Sequence, residues 1–302
     1  MQPIYDARRG EAPRKVAELN LAERRKMDKE ITTRAAAFIE RHARARKPFF
    51  AYLSYSLLHL PTLPHPEFAG RTGNGDWADC LAEMDFRTGQ ILDTIRSAGI
   101  EDNTIVIFAS ENGPEAQHPY QGDPGPWRGT YFTAMEASLR APFLIRWPGK
   151  VPAGRISNEI VHIVDIFPTL ARAADAAVPT DRPMDGVDQT EFFLGKQEHS
   201  NREGFVAYVF DRVHAVKWRN WKMHLIWQVN MFDPPQTLPM PKIVNLLTDL
   251  KEERDVFTHN SWITNACMKI RNQLEESLVR SPPIKMGTPD PYTPPPPVPP
   301  GR

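Results

Sequence analysis

Five apolar residues, Ile105 to Ala109, run without a polar interruption and stop at Ser110-Glu111-Asn112-Gly113-Pro114. Such a run predicts a strand buried on both faces, as in the middle of a parallel sheet, closed by turn chemistry. Upstream, Met1 to Lys15 is polar and basic and reads as a loose lead-in. From Leu21 to Ala43, Met27, Ile31, Ala35, Phe38 and Ile39 recur among Arg, Lys and Glu, which predicts an amphipathic helix. Lys47-Pro48 ends it, and Phe49 to Tyr55 reads as a strand. A second helix is predicted over Asp76 to Ala98, with Leu81, Met84, Ile91, Leu92 and Ile95 as its apolar stripe and Gly99 as its stop. Helix, short loop and buried strand in that order suit the right-handed crossover of a parallel sheet.

Beyond Pro114 a long Gly-, Pro- and Asp-rich loop runs from Glu115 to Thr130, a length that points to function. A short strand follows within Ala141 to Gly149. A helix over Glu159 to Ala174 is expected to turn Ile163, Ile166, Phe167 and Leu170 inward, with Asp165 as a cap or a buried partner. From Gly204 the pattern changes to strands at Phe205–Val209, Val213–Trp218, Trp221–Trp227 and Lys242–Leu247, the middle pair joined as a hairpin at Arg219-Asn220. A last helix spans Ile263 to Val279. The stretch Pro289 to Pro300 is polyproline, expected to be extended or disordered.

The 302 residues suit one large α/β domain with a smaller appendage. The expected divisions are 1–195, 196–286 and a Pro-rich tail over 287–302. Lys+Arg and Asp+Glu balance at 37 each, so no global field favours nucleic acid or an anionic membrane. No apolar run approaches a membrane span, and Met1 to Gly10 is too charged for a secretory signal. Cys80 and Cys267 cannot build a disulfide framework and read as unpaired packing residues.

Candidate chemistry gathers at strand ends. Glu111 and Asn112 offer hard oxygens suited to calcium or magnesium; the alternative is a turn whose Asn bonds its own backbone. His59 lies just past the end of the Phe49–Tyr55 segment, the position in which ligand-binding residues of α/β sheets collect.

Four ordered stretches then resemble the sulfatase family, most closely the bacterial arylsulfatases. Lys47 to Tyr55 with His59 is similar to the segment ending in a histidine that contacts the sulfate ester. Ile107 to Gly113 resembles the strand end whose Asp-Asn pair binds calcium. Arg128-Gly129-Thr130 through Arg140-Ala141-Pro142 resembles the Gly-rich run before an Arg-x-Pro strand entry, and Ile163 to Leu170 the helix after it. The hairpin at Trp218 and Trp221 and the run Asn245 to Asp249 are similar to the family's C-terminal domain. The resemblance implies an alkaline-phosphatase-like α/β sandwich, partial here because its first strands are missing, with a small C-terminal antiparallel sheet and helix. It implies hydrolysis of sulfate esters, on small molecules or sulfated glycans, in a family often exported or periplasmic. It implies His59, Arg128 and Tyr131 at the sulfate, and Glu111 and Asn112 on Ca2+.

The departures from the family pattern are as telling. The family's nucleophile is a formylglycine made from the Cys or Ser of a Cys-x-Pro-x-Arg motif, which this sequence lacks. Cys80-Leu81-Ala82-Glu83-Met84 fails at every required place, and Cys267-Met268-Lys269-Ile270-Arg271 has no proline. The paired aspartates of the family's N-terminus are absent too, so the chain begins in what the family would call its middle. Glu111 stands where aspartate is usual, Ala137 where glycine is usual, and Tyr131 near the place of a sulfate-contacting lysine, with Arg128 as its substitute. Three expectations follow: a sulfatase portion needing an N-terminal sulfatase fragment as partner, a non-catalytic binding protein on the same scaffold, or, disfavoured by the later segments, a phosphoesterase.

Overall fold

A computed structural model describes residues 2–8, 10–115 and 122–289. Two compact units divide the chain, Met1–Glu101 with Ile284–Arg302, and Asp102–Pro283. Most of the expected polyproline tail, and the middle of the Glu115–Thr130 loop, lie outside the described residues.

In the first unit the expected loose lead-in is instead a hairpin: β1 (Pro3–Asp6) pairs antiparallel with β2 (Arg14–Glu18). Cross-strand charge helps select this register, since Arg14 reaches the Asp6 carboxylate at 3.6 Å. The first predicted helix forms as α1 (Leu21–Arg24), capped by the Asn20 side chain, and α2 (Met27–Arg44). The second forms as α3 (Asp76–Ser97), stopping before Gly99 at φ +68°. Ile39 of α2 and Cys80, Ile91 and Ile95 of α3 are buried.

Buried carboxylates on these helices pin the irregular chain between them. Asp28 accepts from the Ser56 backbone N–H (2.6 Å) and hydroxyl (2.5 Å). Glu83 accepts from His65 N–H (2.7 Å) and grips Arg87, and Asp79 accepts from Gly70 and Thr72 N–H.

Phe49 to Tyr55 does not form a strand. Its residues alternate between half-buried and exposed, the period of a pleat, yet no ladder partner exists among the described residues. Phe50 and Tyr52 are left 72% and 81% exposed. An extended, unpaired, apolar segment is an aggregation hazard. The chain alone is therefore expected to self-associate in light scattering, and a monomeric sample that melts cooperatively would count against this.

The second unit holds β3 (Val106–Ala109) and β4 (Phe143–Arg146). Here the parallel-sheet reading needs correction: β3 pairs antiparallel with β4, and these two strands form a sheet by themselves. One face is covered, with Ile107 and Ile145 lining an apolar crevice with Ile166 and Leu170 of α5 (Ile166–Ala173). The other carries Phe108 opposite Leu144, and Leu144 is 61% exposed. An uninterrupted apolar run shows that both faces are fit for burial; it does not show that this chain covers both.

The 159–174 helix is shorter than expected, a 3-10 turn at Ile163–Asp165 followed by α5, with α6 (Thr190–Phe193) nearby. Ile163 and Phe167, expected inside, are exposed. The inward turn is organised instead by Asp165, which is both cap and buried partner.

The C-terminal expectation is met. β5 (Gly204–Val209), β6 (Arg212–Trp218), β7 (Trp221–Trp227) and β8 (Gln236–Asn245) form an antiparallel meander in chain order. Beyond the one-turn α7 (Phe257–Asn260), α8 (Ile263–Arg280) packs across β5–β7. Val216, Met223, Ile243, Ile263 and Cys267 are fully buried between sheet and helix, each large apolar side chain contributing about 1.5–3 kcal/mol. Both cysteines are free and buried, and burial pushes each thiol up to about 12. No helix among the described residues is long and apolar enough to cross a membrane.

Candidate active site

In the second unit two loops carry the candidate residues, and a third segment joins them. The turn after β3 leaves Glu111 exposed and Asn112 half-buried, the Asn112 amide donating to the adjacent Gly113 carbonyl at 2.6 Å. Gly113 N–H donates to the Ser138 carbonyl at 2.9 Å. A Cβ at residue 113 would sit 1.7 Å from the Ala137 carbonyl oxygen, so only glycine allows this approach.

The other loop is held from the same place: Ala137 N–H donates to the Arg128 carbonyl at 3.1 Å. Its Gly129 has φ +105° and lies against the Met135 side chain, where a Cβ would come within 2.2 Å. The Arg128 guanidinium lies 5.9 Å over Trp227 and 4.0 Å from the exposed Glu253 carboxylate, a loose pairing that leaves its charge available. Tyr131 packs edge-on against Phe132 at 4.3 Å, and Phe132 stacks on Phe210 at 5.5 Å. Both phenylalanines have positive φ, +62° and +55°, conformations that cost bulky side chains free energy and that cluster at functional loops.

The short helix α4 (Glu136–Leu139) is therefore the junction of Glu111-Asn112 with Arg128–Tyr131. His59 belongs to the first unit, exposed, its Nδ1 2.7 Å from the Leu60 carbonyl oxygen.

Beneath the junction lies a buried charge cluster that reading along the chain did not single out. Glu136, Lys222 and Glu252 are fully buried and His224 nearly so. Glu136 Oε2 accepts from Lys217 Nζ (2.8 Å) and Arg140 Nε (2.7 Å), while its Oε1 lies 2.8 Å from Lys222 Nζ. Lys222 Nζ also reaches Glu252 Oε2 (3.0 Å) and donates to the Ala134 carbonyl (2.8 Å). Glu252 Oε2 lies 2.7 Å from His224 Nε2, and its Oε1 accepts Glu136 N–H at 2.7 Å.

Burial alone would raise the Glu136 pKa, but Lys222 and Lys217 outweigh it and hold the carboxyl well below its usual range. Glu252 is held low in the same way by Lys222. Burial lowers His224, against the pull of Glu252, which keeps the imidazole neutral.

A calcium shell needs about 6–8 oxygens. Glu111 and Asn112 supply too few, and no group of three or more His, Cys, Asp or Glu among the described residues is placed to hold a metal. The residues present do not by themselves fit the ion.

The sulfatase profile matches residues 5–176, more than half of the chain. The chain belongs to the sulfatase family. A profile described as N-sulphoglucosamine sulphohydrolase, C-terminal, matches residues 130–280. The chain is 33% identical over 210 residues to the steryl-sulfatase of Rattus norvegicus, covering 68% of this chain and 36% of that protein. It is 34% identical over 202 residues to an N-acetylgalactosamine-6-O-sulfatase of Bacteroides thetaiotaomicron, covering 64% of this chain and 39% of the relative. The chain thus spans well under half the length of these two curated relatives. The crystal structure of PsFucS1 sulfatase from Pseudoalteromonas sp. superposes with a TM-score of 0.87 at 25% identity, over 94% of this chain and 59% of that one. The fold is accordingly that of the alkaline-phosphatase-like sulfatases, with the antiparallel C-terminal sheet in place.

Proposed function

We propose that this chain supplies the later part of a sulfuric ester hydrolase of arylsulfatase type, acting on a sulfate ester of a small molecule or a glycan, and that it does not turn over substrate by itself. The observation that supports this reading is the junction at α4, where backbone bonds tie Glu111-Asn112 to the Arg128–Tyr131 loop. In that reading Arg128 offers its guanidinium and Tyr131 its polar tip to sulfate oxygens that gain charge as the ester breaks, and the family resemblance gives His59 a sulfate-contacting role. The nucleophile comes from a sulfatase N-terminal portion, since no Cys-x-Pro-x-Arg occurs in this sequence. That same absence favours a second reading, a sulfatase-like chain that binds a sulfated ligand without catalysis.

The purified chain is expected to hydrolyse no aryl sulfate above background. Mixed with a separately expressed N-terminal portion carrying matured formylglycine, it is expected to restore turnover, which His59→Ala or Asn112→Ala then lowers about 10²-fold or more. Turnover by the chain alone that survives both changes would show the site to be elsewhere. Binding of a sulfated ligand with no turnover in the mixture would favour the second reading.

Glu111 and Asn112 are the pair through which calcium would be held in the assembled site. Calorimetry on the chain alone is expected to show weak calcium binding or none. Tight binding that Glu111→Ala leaves undiminished would remove these residues from the assignment.

A further inference from the structure

The β6–β7 hairpin places Lys217 directly opposite Lys222 on one face of the sheet, with Ala215 opposite His224 on the same face. Two ammonium groups opposite one another repel, and burial makes the repulsion stronger. A simple core would fill these positions with apolar residues, as the other face does with Val216 and Met223. Here each charge is answered by a carboxylate from outside the strands, Glu136 from the start of α4 and Glu252 from the segment after β8.

Neither carboxylate stops at neutralising charge. Glu252 Oε1 accepts the backbone N–H of Glu136, so the acid that balances Lys222 also fixes the first peptide of α4. The next two residues hold the candidate site: Ala137 N–H takes the Arg128 carbonyl, and the Ser138 carbonyl takes Gly113 N–H. The path from Lys222 to Asn112 thus runs Lys222, Glu252, Glu136 N–H, the α4 backbone, Gly113, with hydrogen-bonded or ionic contact at each non-covalent step.

We propose that Glu252, its charge balanced by Lys222, is a positioning residue of the candidate sulfate-ester site, holding α4 through the Glu136 N–H so that the Glu111-Asn112 turn and the Arg128–Tyr131 loop keep a fixed mutual placement. The proposal rests on the reading of those loops as site residues, but its geometry is testable without any turnover. Buried ion pairs can often be exchanged for apolar side chains of similar volume without loss of stability, so such an exchange separates placement of α4 from stability.

The test compares two charge-balanced variants of the full chain, Lys222→Met/Glu252→Leu and Lys222→Met/Glu252→Gln. Both remove one cation and one anion, so neither strands a buried charge. Only the glutamine keeps an acceptor for Glu136 N–H. Site-resolved hydrogen exchange is followed at the amides of Gly113, Ala137 and Glu136, with Val216 and Met223 as reporters of the sheet.

The leucine variant is expected to exchange at Gly113 and Ala137 at least tenfold faster than wild type while the sheet amides hold. The glutamine variant should recover most of that protection. Equal exchange in the two variants, or a rise shared equally with the sheet amides, would reduce the cluster to core packing and overturn the proposal. In the complemented mixture the leucine variant should lower kcat more than it raises KM. Absence of any turnover there would count against the hydrolase reading and leave the exchange result standing by itself.

Discussion

Glu136→Gln is expected to cost about 3–5 kcal/mol, the usual penalty for stranding buried charge. The substitution preserves shape and removes one negative charge from among three cations. Lys217 Nζ and Arg140 Nε lose their anion, and Lys222 is left with Glu252 alone. Against a typical total of about 5–15 kcal/mol, that loss leaves the Asp102–Pro283 unit marginal or unfolded. Urea titration at pH 7 measures it, and a change under about 1 kcal/mol would show that the cluster is relaxed or hydrated in solution.

The pH dependence has a definite sign. The folded pKa of Glu136 is depressed, so the folded state binds fewer protons than the unfolded chain across the carboxylate range. Its stabilisation is complete above the ordinary glutamate pKa of about 4.3 and is lost as pH falls towards and through the folded value. His224 acts in the same direction: burial lowers a base, so acidification below the ordinary histidine pKa of about 6.5 favours the unfolded chain. Wild type should therefore weaken below about pH 6 and more steeply below about pH 4. Glu136→Gln should lose its own share of the steeper part, while the depressed carboxyls of Glu252 and Asp165 keep theirs.

The cluster also shows where the sequence was legible and where it was not. The hairpin at Arg219-Asn220 was readable from its turn and flanking aromatic residues, and it already implies that Lys217 faces Lys222. Like charges paired across a hairpin, on the face shared with His224, ask for a buried anion. The anion's identity was not readable, because Glu136 lies 81 residues from Lys217 and joins it only through the fold. The same limit explains β3. Its apolarity was visible, whereas its antiparallel partner and open face depend on which segments cover it. Glu111 and Asn112 were found from their hard oxygens at a strand end and Arg128 through motif resemblance, and the backbone bonds that join their loops at α4 carry no side-chain signature. Phe49 to Tyr55 was read as a strand from its β preference, but no partner to make it one is among the described residues. The hairpin of Pro3–Asp6 with Arg14–Glu18 was missed because its pairing rests partly on charges such as the half-buried Asp6 and the exposed Arg14, which on a polar segment look like solvated surface.

Asp165→Ala is the second substitution expected to unfold much of what surrounds it. Asp165 is fully buried and answers five donor groups. Arg202 approaches with Nε at 2.9 Å and Nη2 at 2.5 Å, the backbone N–H groups of His162 and Val187 each donate at 2.9 Å, and Gln189 Nε2 lies at 3.3 Å. One carboxylate thereby closes the cap of the 3-10 turn and fixes the chain at residues 187, 189 and 202. Burial would raise its pKa, but Arg202 and the two backbone donors hold it below the usual range. Alanine leaves two amide donors unanswered and the half-buried Arg202 guanidinium with only the Asp185 carbonyl, for a loss of about 3 kcal/mol. Asparagine keeps an oxygen for a backbone donor but not the charge for Arg202, so Asp165→Asn should fall between wild type and alanine. Because the folded pKa is depressed, this contribution stands above the ordinary aspartate value of about 3.9 and fades on acidification below it, so the gap between wild type and Asp165→Asn should narrow as pH falls. Urea midpoints at pH 7 and pH 3 read both effects. Equal midpoints for wild type and Asp165→Ala at pH 7 would mean that Arg202 and the amides find water in its place, and that α5 is held by its apolar contacts with β3 and β4 alone.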